Sequence, residues 1–168
     1  GAWWSPKGWA ISVLEQSYIV FLLRPYYKNL GKRLIKSPKV YFYDSGLLAY
    51  LTNINSREQY ENGILYGVMF ENYVISEVMK RKYHQNLMQN LFFFRSSNGE
   101  EIDMVIEEGL QPMYYEIKAS STYKTVFHRV MDKLKLNQSQ FGVIYQGKSN
   151  MIFDEMKKKL LLIKIFSR

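Results

Sequence analysis

The sequence contains no cysteine and only two histidines. Without cysteine there is no disulfide framework and no thiolate metal site, which fits an intracellular protein. His84 and His128 are far apart and lack the spacing of zinc ligands. The longest apolar run near the start, Tyr18–Leu23, is far too short to cross a membrane, and no signal peptide is evident. We therefore expect a cytoplasmic protein with no membrane partner.

What the chain does contain is apolar residues and positive charge. Its 168 residues are 47% hydrophobic and 16% aromatic, which is enough for one ordinary domain or two small ones with a real core. The net charge of +8 favours an acidic partner, of which nucleic acid is the commonest. A basic balance is also common in proteins that bind nothing acidic. The abrupt start at Gly1 suggests a fragment of a longer protein.

The stretch Leu91–Ser120 organises the rest of the chain, because it predicts three consecutive β-strands. An apolar and aromatic run is followed by Ser-Asn-Gly turn chemistry. Two segments of alternating polar and apolar residues come next, separated by Glu-Gly. The predicted strands are Leu91–Arg95, Glu101–Glu107 and Met113–Ala119.

Folding the last two strands as a hairpin brings charged residues together. A centre directly after Gly109 places Asp103 opposite Glu116. The same register, on which the pairing depends, places Glu101 opposite Lys118. Because side chains alternate between faces, Glu116 and Lys118 point the same way, about 4.5–5.5 Å from their cross-strand neighbours. The opposite face is predicted to be a core built from Ile102, Met104, Ile106, Tyr115, Ile117 and Ala119.

Two carboxylates this close repel each other unless a cation neutralises them. Magnesium is one answer, since it takes oxygen ligands and keeps several waters. A neighbouring lysine can orient or deprotonate such a water, which would make a hydrolytic site for a phosphodiester. The alternative is a solvated strand face with a weak surface ion pair. Glu-x-Lys alone is weak evidence, because Glu155-Met156-Lys157 repeats it in a charge-rich stretch with no assigned role.

The first third of the chain has the pattern of the end of a winged helix: helix, strand, basic connection, strand and short helix. Asp44 is predicted to cap the short helix. The predicted elements are a helix over Trp9–Ser17, strands over Tyr18–Leu23 and Lys39–Tyr43, and a helix over Gly46–Leu51.

The connection between those two strands is rich in lysine and arginine and contains no acid. With Tyr26 and Tyr27 beside it, it is suited to lie on a phosphate backbone. The alternative is a solvated hairpin tip. Its candidate DNA-binding residues are Lys28, Lys32, Arg33 and Lys36.

The polar stretch Thr52–Gly63 reads as irregular and as the boundary between two units. A long helix over Ile64–Tyr83 follows, with Glu71 beside its apolar stripe. A second helix over Tyr123–Leu136 has basic faces that include Lys124. Three further strands are predicted, over Phe141–Tyr145, Asn150–Phe153 and Leu160–Phe166.

The segment Gly142–Ser149 matches the sequence motif of a phosphate-binding loop, G-x-x-x-x-G-K-S. That mechanism needs a flexible glycine loop between a strand and a helix. Here the intervening residues are apolar and belong to the strand, and Asn150–Phe153 is not a convincing helix start. We therefore expect no ATP site in this chain.

The second part of the chain is predicted to run helix, three strands, helix and strand. Glu71 lies on the first helix, Asp103 on the second strand and Glu116-Ile117-Lys118 on the third. This arrangement resembles the core of the PD-(D/E)XK, or restriction-endonuclease-like, superfamily. Several stretches also resemble the carboxy-terminal region of a prokaryotic family of AAA-type ATPases of unknown function. They are LEQSYIVFLLRPYYKNLGKRLIKSPKVYFYDSGLLAYL, GVMFENYVISEVMK, FFFRSSNGEEIDMVIE and YYEIKAS.

The resemblance implies an α/β fold with an αβββαβ core and a mixed sheet. An ATPase module would come first, then a winged helix and then the nuclease-like domain. Residues 1–55 would be the tail of the winged helix, and residues 60–168 the nuclease-like domain. The missing ATPase module is then an expected partner.

The resemblance also implies roles for the site residues. Asp103 and Glu116 would be direct ligands of magnesium or manganese, with the Ile117 carbonyl as a third. Glu71 would act through the metal's water shell, and Lys118 would serve the nucleophile. The proline that often precedes the motif acid is absent, and the superfamily frequently loses it.

Three functions remain open at this stage. The first is a magnesium-dependent DNA phosphodiesterase module of an AAA-type ATPase. The second is a catalytically inactive module for DNA binding or assembly of that ATPase. The third is a self-associating unit, a homo-oligomer with no nucleic-acid role, which is motivated by aromatic residues expected to be exposed: Trp3, Trp4, Tyr26 and Tyr27.

Overall fold

The computed structural model describes residues 6–27, 37–108, 111–122, 124, 129–137 and 140–146. Within these ranges the chain forms five helices and six strands. In chain order they are α1 (Pro6–Gln16), β1 (Val20–Pro25), β2 (Lys39–Phe42), α2 (Ser45–Leu51), α3 (Arg57–Asn62), α4 (Tyr66–His84), β3 (Asn90–Arg95), β4 (Glu101–Glu108), β5 (Gln111–Lys118), α5 (Arg129–Leu134) and β6 (Phe141–Tyr145).

All six strands belong to one mixed sheet in the order β2-β1-β3-β4-β5-β6. The pairs β1–β2, β3–β4 and β4–β5 are antiparallel, whereas β1–β3 and β5–β6 are parallel. The second half of the chain runs α4, β3, β4, β5, α5, β6, which is the predicted order of helix, three strands, helix and strand. The predicted mixed α/β class is therefore confirmed.

The β1–β2 hairpin extends the same sheet as the later strands. Arg24 and Pro25 pair in parallel with Phe92 and Phe93. The segment expected to end a winged helix and the segment expected to form the nuclease-like domain thus share a sheet. The division of the chain at residues 55–60 stays a prediction.

Tyr26 follows β1 and continues this pairing, because its amide donates to the Phe93 carbonyl at 2.7 Å. Its ring is buried and packs against Phe92 and Tyr114. The expectation that Tyr26 is an exposed contact residue was therefore wrong: the bond to β3 draws its ring into a core. Tyr27 is exposed, as expected.

Apolar residues cover both faces of the sheet, so the sheet lies between two helical layers. Under α4, Phe70 and Val74 pack on Phe93, Met104 and Tyr115. On the opposite face α5 contributes Leu134 to a second cluster, whose buried members are Tyr26, Phe94, Ile102, Val105, Tyr114 and Phe141.

The two-sided core corrects the sequence prediction for Ile102, which was expected on the same face as Met104. Ile102 instead packs in the cluster on the α5 side. The cause is a β-bulge: β3 advances two residues, from Phe92 to Phe94, while β4 advances three, from Val105 to Ile102. One extra residue on β4 breaks the alternation of side chains at this point.

Helix capping explains how the chain passes from β2 to α4. The Asp44 carboxylate accepts from the amides of Gly46 and Leu47 at 2.7 and 3.2 Å, so the predicted cap of α2 is confirmed. The expectation that residues 52–63 are irregular was wrong, because they contain α3. Ser56 caps α3 by accepting from the Gln59 amide at 3.1 Å. Its S-x-x-Q spacing is a capping-box pattern.

Several predictions lie outside the described residues. They include the basic connection, the expected start of the second helix and the two last strands. Of the expected second helix, Tyr123–Leu136, the structure describes α5 at Arg129–Leu134. No helix in the described ranges is both long and apolar enough to cross a membrane.

Candidate functional site

The β4–β5 hairpin has the register that its sequence predicts. Five residue pairs run from Met104 opposite Tyr115 to Glu108 opposite Gln111. Beyond Met104 the recorded ladder between these strands ends, while β5 continues beside β6 through Glu116 and Lys118. The strands therefore separate at the point where Asp103 and Glu116 stand.

Asp103 occupies this separation. Its Oδ2 accepts from the Ile117 amide at 2.8 Å, so a side chain takes the place of a strand-to-strand bond. The neighbouring bulge in β4 turns the backbone locally. Asp103 is only 8% exposed. This carboxylate is consequently buried and held in one orientation.

Glu116 and Lys118 form an ion pair on β5. Lys118 Nζ lies 2.5 Å from Glu116 Oε1. This contact confirms that the two alternate residues point the same way. The other oxygen, Glu116 Oε2, is buried and has no hydrogen-bond partner among the residues that the structure describes. A buried carboxylate oxygen without a donor is costly, and a bound cation would remove that cost.

The pKa values of Asp103 and Glu116 also show that their charged forms are disfavoured in this site. Burial, followed by the charges of Glu116 and Glu71, raises the pKa of Asp103 to about 7. Burial also raises the pKa of Glu116, against the opposing influence of Lys118. For Lys118, burial alone would lower the pKa, but the hydrogen bond to Glu116 and the charge of Asp103 raise it instead. The acids of the site thus disfavour one another's charged forms, and Asp103 changes its charge near neutral pH.

Glu71 reaches this region from α4. Its Oε1 accepts from the Tyr41 hydroxyl at 2.6 Å and from Lys39 Nζ at 3.0 Å. Its charge also contributes to the raised pKa of Asp103. The structure therefore brings together the four polar residues that the sequence singled out: Glu71, Asp103, Glu116 and Lys118.

Glu101, expected opposite Lys118, forms its ion pairs elsewhere. Lys39 Nζ lies 2.5 Å from Glu101 Oε1, and the Arg95 guanidinium donates to both Glu101 oxygens at 2.9 Å. These bonds lower the pKa of Glu101 although burial opposes them. The bulge and the separation of β4 from β5 remove Glu101 from the simple hairpin register.

Sequence reasoning missed three residues of this site: Lys39, Tyr41 and Arg95. The available signal was that Lys39 and Tyr41 are alternate residues of a predicted strand and so share one face. Nothing local indicated that β2 lies beside α4. That neighbourhood depends on the long-range pairing of β1 with β3.

The donor set at Asp103 and Glu116 suits a hard cation. Among the described residues, no group of three or more Asp, Glu, His or Cys is arranged to hold a metal ion. Magnesium does not require such a group, because it is commonly bound through one or two carboxylates and keeps several waters. Asp103 with the free oxygen of Glu116 meets that smaller requirement.

The residues predicted to bind DNA divide into two sets. Lys124 is described and exposed after β5, where it can meet a ligand. Lys28, Lys32, Arg33 and Lys36 lie outside the described residues. Their role in binding DNA stays a prediction.

Two family profiles match successive parts of the chain. Residues 66–165 match the family described as "Domain of unknown function (DUF4143)". The chain belongs to the DUF4143 family. This domain occurs in proteins associated with AAA ATPases, in agreement with the resemblance drawn from the sequence. Residues 9–58 match another domain of unknown function, DUF8612.

Two curated relatives of this DUF4143 protein are named as uncharacterized proteins. One from Mycobacterium tuberculosis and one from Mycobacterium bovis are each 28% identical over 138 residues. The match covers 82% of this chain and 30% of each relative, so the chain spans about 30% of their length. No solved structure matches the chain.

Proposed function

We propose that this DUF4143 protein carries a PD-(D/E)XK-type site for magnesium-dependent hydrolysis of DNA phosphodiesters. One observation carries the proposal: the charges of a buried carboxylate, Asp103, and a partly buried one, Glu116, repel each other beside Lys118, where the β4–β5 ladder ends. The partnerless Oε2 of Glu116 supports it, because a cation is the simplest group to satisfy that oxygen.

The fold is compatible with this assignment. The succession α4, β3, β4, β5, α5, β6 and the mixed sheet support the proposal, because an αβββαβ core with a mixed sheet is what the resemblance to the restriction-endonuclease-like superfamily implies. A fold alone does not establish an activity, since the same scaffold is reused for different functions. The acids and the lysine therefore carry the proposal.

A bound magnesium or manganese ion would polarise the phosphate and lower the pKa of its water. The two oxygens of Glu116 have different surroundings. Oε1 forms the ion pair with Lys118, and Oε2 would be available to bind the cation. With a cation bound in this way, the Lys118 ammonium would lie beside the cation's water and would orient it for attack on the phosphate. Asp103, held by the Ile117 amide, needs no reorganisation to bind the cation.

The remaining roles follow the superfamily pattern. The Ile117 carbonyl would be a third ligand, and Glu71 would hold water of the cation's shell. Lys124, with Lys28, Lys32, Arg33 and Lys36, would hold the DNA backbone without reading its sequence. The chain would act as a module of an AAA-type ATPase, whose other parts lie outside this sequence.

Purified protein should cleave supercoiled or linear DNA in the presence of magnesium or manganese. Asp103→Asn and Lys118→Ala should each abolish cleavage, since one removes a ligand and the other the group that orients water. Lys80→Ala is the matched control, because Lys80 forms an exposed ion pair with Glu77 on α4. Cleavage that survives the double change Asp103→Asn and Lys118→Ala would rule out this site.

A specific observation favours a second candidate, a non-catalytic module that binds DNA or assembles the ATPase. The acids of the site already have internal cations: Lys118 on Glu116, Lys39 on Glu71, and Arg95 with Lys39 on Glu101. A network neutralised in this way can be purely structural. This candidate predicts DNA binding that falls steeply with salt and ignores chelator. Manganese found between Asp103 and Glu116 would count against it.

A further inference from the structure

Strand β2 supplies two side chains to the candidate site from outside the matched DUF4143 region. Lys39 and Tyr41 are alternate residues of β2, so they point to the same face of the sheet. Both donate to the same atom, Glu71 Oε1, at 3.0 and 2.6 Å. Glu71 itself lies within residues 66–165, whereas β2 lies within residues 9–58.

The backbone of β2 is fixed to α4 directly beside Glu71. The amide side chain of Asn72 accepts from the Phe42 N–H at 2.8 Å and donates to the Phe42 carbonyl at 3.2 Å. Asn72 is only 3% exposed. These two hydrogen bonds, between the Asn72 side chain and the backbone of the edge strand, set the distance between Tyr41 and Glu71.

A third group of contacts fixes Lys39. Its ammonium bridges Glu71 and Glu101, and it lies 5.3 Å from the centre of the Phe93 ring. The Glu101 carboxylate is held in turn by Arg95. The Lys39 ammonium is therefore held by two carboxylates, those of Glu71 and Glu101, and has little freedom to leave Glu71.

We propose that Tyr41 and Lys39 are positioning residues for Glu71: they hold its Oε1 and leave Oε2 directed to a water of the bound cation. Both recorded contacts of Glu71 use Oε1, and within the described ranges Oε2 has no partner. This inference rests on the proposed function. It assigns the metal site to both family regions together, with β2 as a necessary part.

Groups behind a ligand act by orienting it, and their loss typically weakens metal binding by 10–100-fold. Tyr41→Phe removes only the hydroxyl and keeps the ring stacked on Phe21, at 5.7 Å between centroids. Tyr43→Phe is the matched control, because that ring also packs against Phe21 but its hydroxyl faces Tyr83.

Isothermal titration of the chain with Mn²⁺ measures the effect. We expect Tyr41→Phe to weaken Mn²⁺ binding by about tenfold and Tyr43→Phe to leave it unchanged. Melting curves in chelator check that both variants fold. Wild-type binding that Tyr41→Phe does not weaken would overturn the positioning role and leave the metal site standing. Failure of the wild type to bind Mn²⁺ would overturn the proposed function and this inference with it.

A double-mutant cycle separates positioning from general support of the fold. If Tyr41 acts through Glu71, then Tyr41→Phe should cost no further affinity once Glu71→Gln is present. Additive losses in the double variant would show that Tyr41 acts by another route and would contradict the proposal.

One wild-type measurement does not depend on how any variant folds. In protein labelled with ¹³C at tyrosine Cζ, added Mg²⁺ should shift the Tyr41 resonance, because its hydroxyl is bonded to the carboxylate that receives the cation's water. The Tyr43 resonance should not move. A stationary Tyr41 signal at saturating Mg²⁺ would argue against the proposal.

Discussion

The Asp103 carboxylate replaces a bond of the sheet, because its Oδ2 accepts from the Ile117 amide at 2.8 Å. Asp103 is the residue next to Met104, whose pair with Tyr115 ends the β4–β5 ladder. This arrangement satisfies a backbone donor that the separating strands would otherwise leave buried. It also fixes a negative charge beside Glu116. The end of the β4–β5 ladder thus coincides with the hydrogen bond that holds this acid in place.

The first prediction concerns stability against pH in metal-free protein. Burial raises the pKa of folded Asp103 to about 7, above its ordinary value near 4 in the unfolded chain. The folded state then binds more protons at Asp103 between these values, so the contribution of Asp103 to the free energy of unfolding falls as pH rises from about 4 to about 7. The raised pKa of Glu116 acts in the same direction. Urea denaturation in chelator at a series of pH values measures the slope.

Asp103→Asn should flatten part of that slope, because asparagine can still accept from the Ile117 amide but carries no charge. The variant should be more stable than the wild type above about pH 7 and closer to it near pH 4. Asp132→Asn, at an exposed acid of α5, is the control and should leave the slope unchanged. Equal slopes in wild type and Asp103→Asn would show that Asp103 titrates normally.

The second prediction is that a divalent cation stabilises the fold. Any ligand that binds only the folded state adds about 2.7 kcal/mol at a concentration one hundred times its dissociation constant. We expect magnesium or manganese to raise the melting temperature of the wild type and of Asp132→Asn. Asp103→Asn should lose the effect. A thermal shift that persists in Asp103→Asn would place the cation elsewhere.

Local sequence patterns were sufficient for much of the site. The turn after β4 and the alternation of Glu101–Glu107 predicted the hairpin register that is observed from Met104 to Glu108. The side-chain period of two placed Glu116 and Lys118 on one face, and the Asp44 cap located α2. In each case the determining interactions lie within a few residues of chain.

What the sequence did not predict depends on contacts between distant segments. The bulge that sends Ile102 to the opposite core reflects the pairing of β4 with β3, which no local pattern encodes. The approach of Lys39 and Tyr41 to Glu71 depends on β1 pairing with β3 in parallel. The helix α3 is different: its Ser56 capping signal was present and was outweighed by the polar composition around it.

The third prediction tests the ion pairs of Lys39. Its side chain is 16% exposed, and its partners Glu71 and Glu101 are 24% and 31% exposed. Lys39→Met would leave two mostly buried carboxylates without this cation, at a cost of about 1–3 kcal/mol in the free energy of unfolding. Lys80→Met removes a more exposed pair with Glu77 and should cost no more than about 0.5 kcal/mol. Equal losses in the two variants, measured by urea denaturation, would mean that the Lys39 network adds no particular stability.

The fourth prediction concerns the attachment of β2 to α4 by Asn72. Asn72→Ala would leave the Phe42 N–H and carbonyl without their side-chain partner. It would also remove the hydrogen bond that Asn72 donates to Ser45 Oγ at 3.2 Å. Because Asn72 is buried, we expect a loss of about 1–3 kcal/mol. Asn62→Ala, at an exposed position of α3, is the control and should stay within about 0.5 kcal/mol of the wild type.

Hydrogen exchange locates the effect of Asn72→Ala within the sheet. Strand β2 is at the edge and pairs only with β1 in the described sheet, so its amides depend on this attachment. Exchange should accelerate first in Lys39–Phe42, while the central β4 amides follow only global unfolding. A uniform acceleration across both strands would mean that Asn72 supports the whole core. A change confined to β2 would mean that α4 holds this strand, and with it Tyr41, against Glu71.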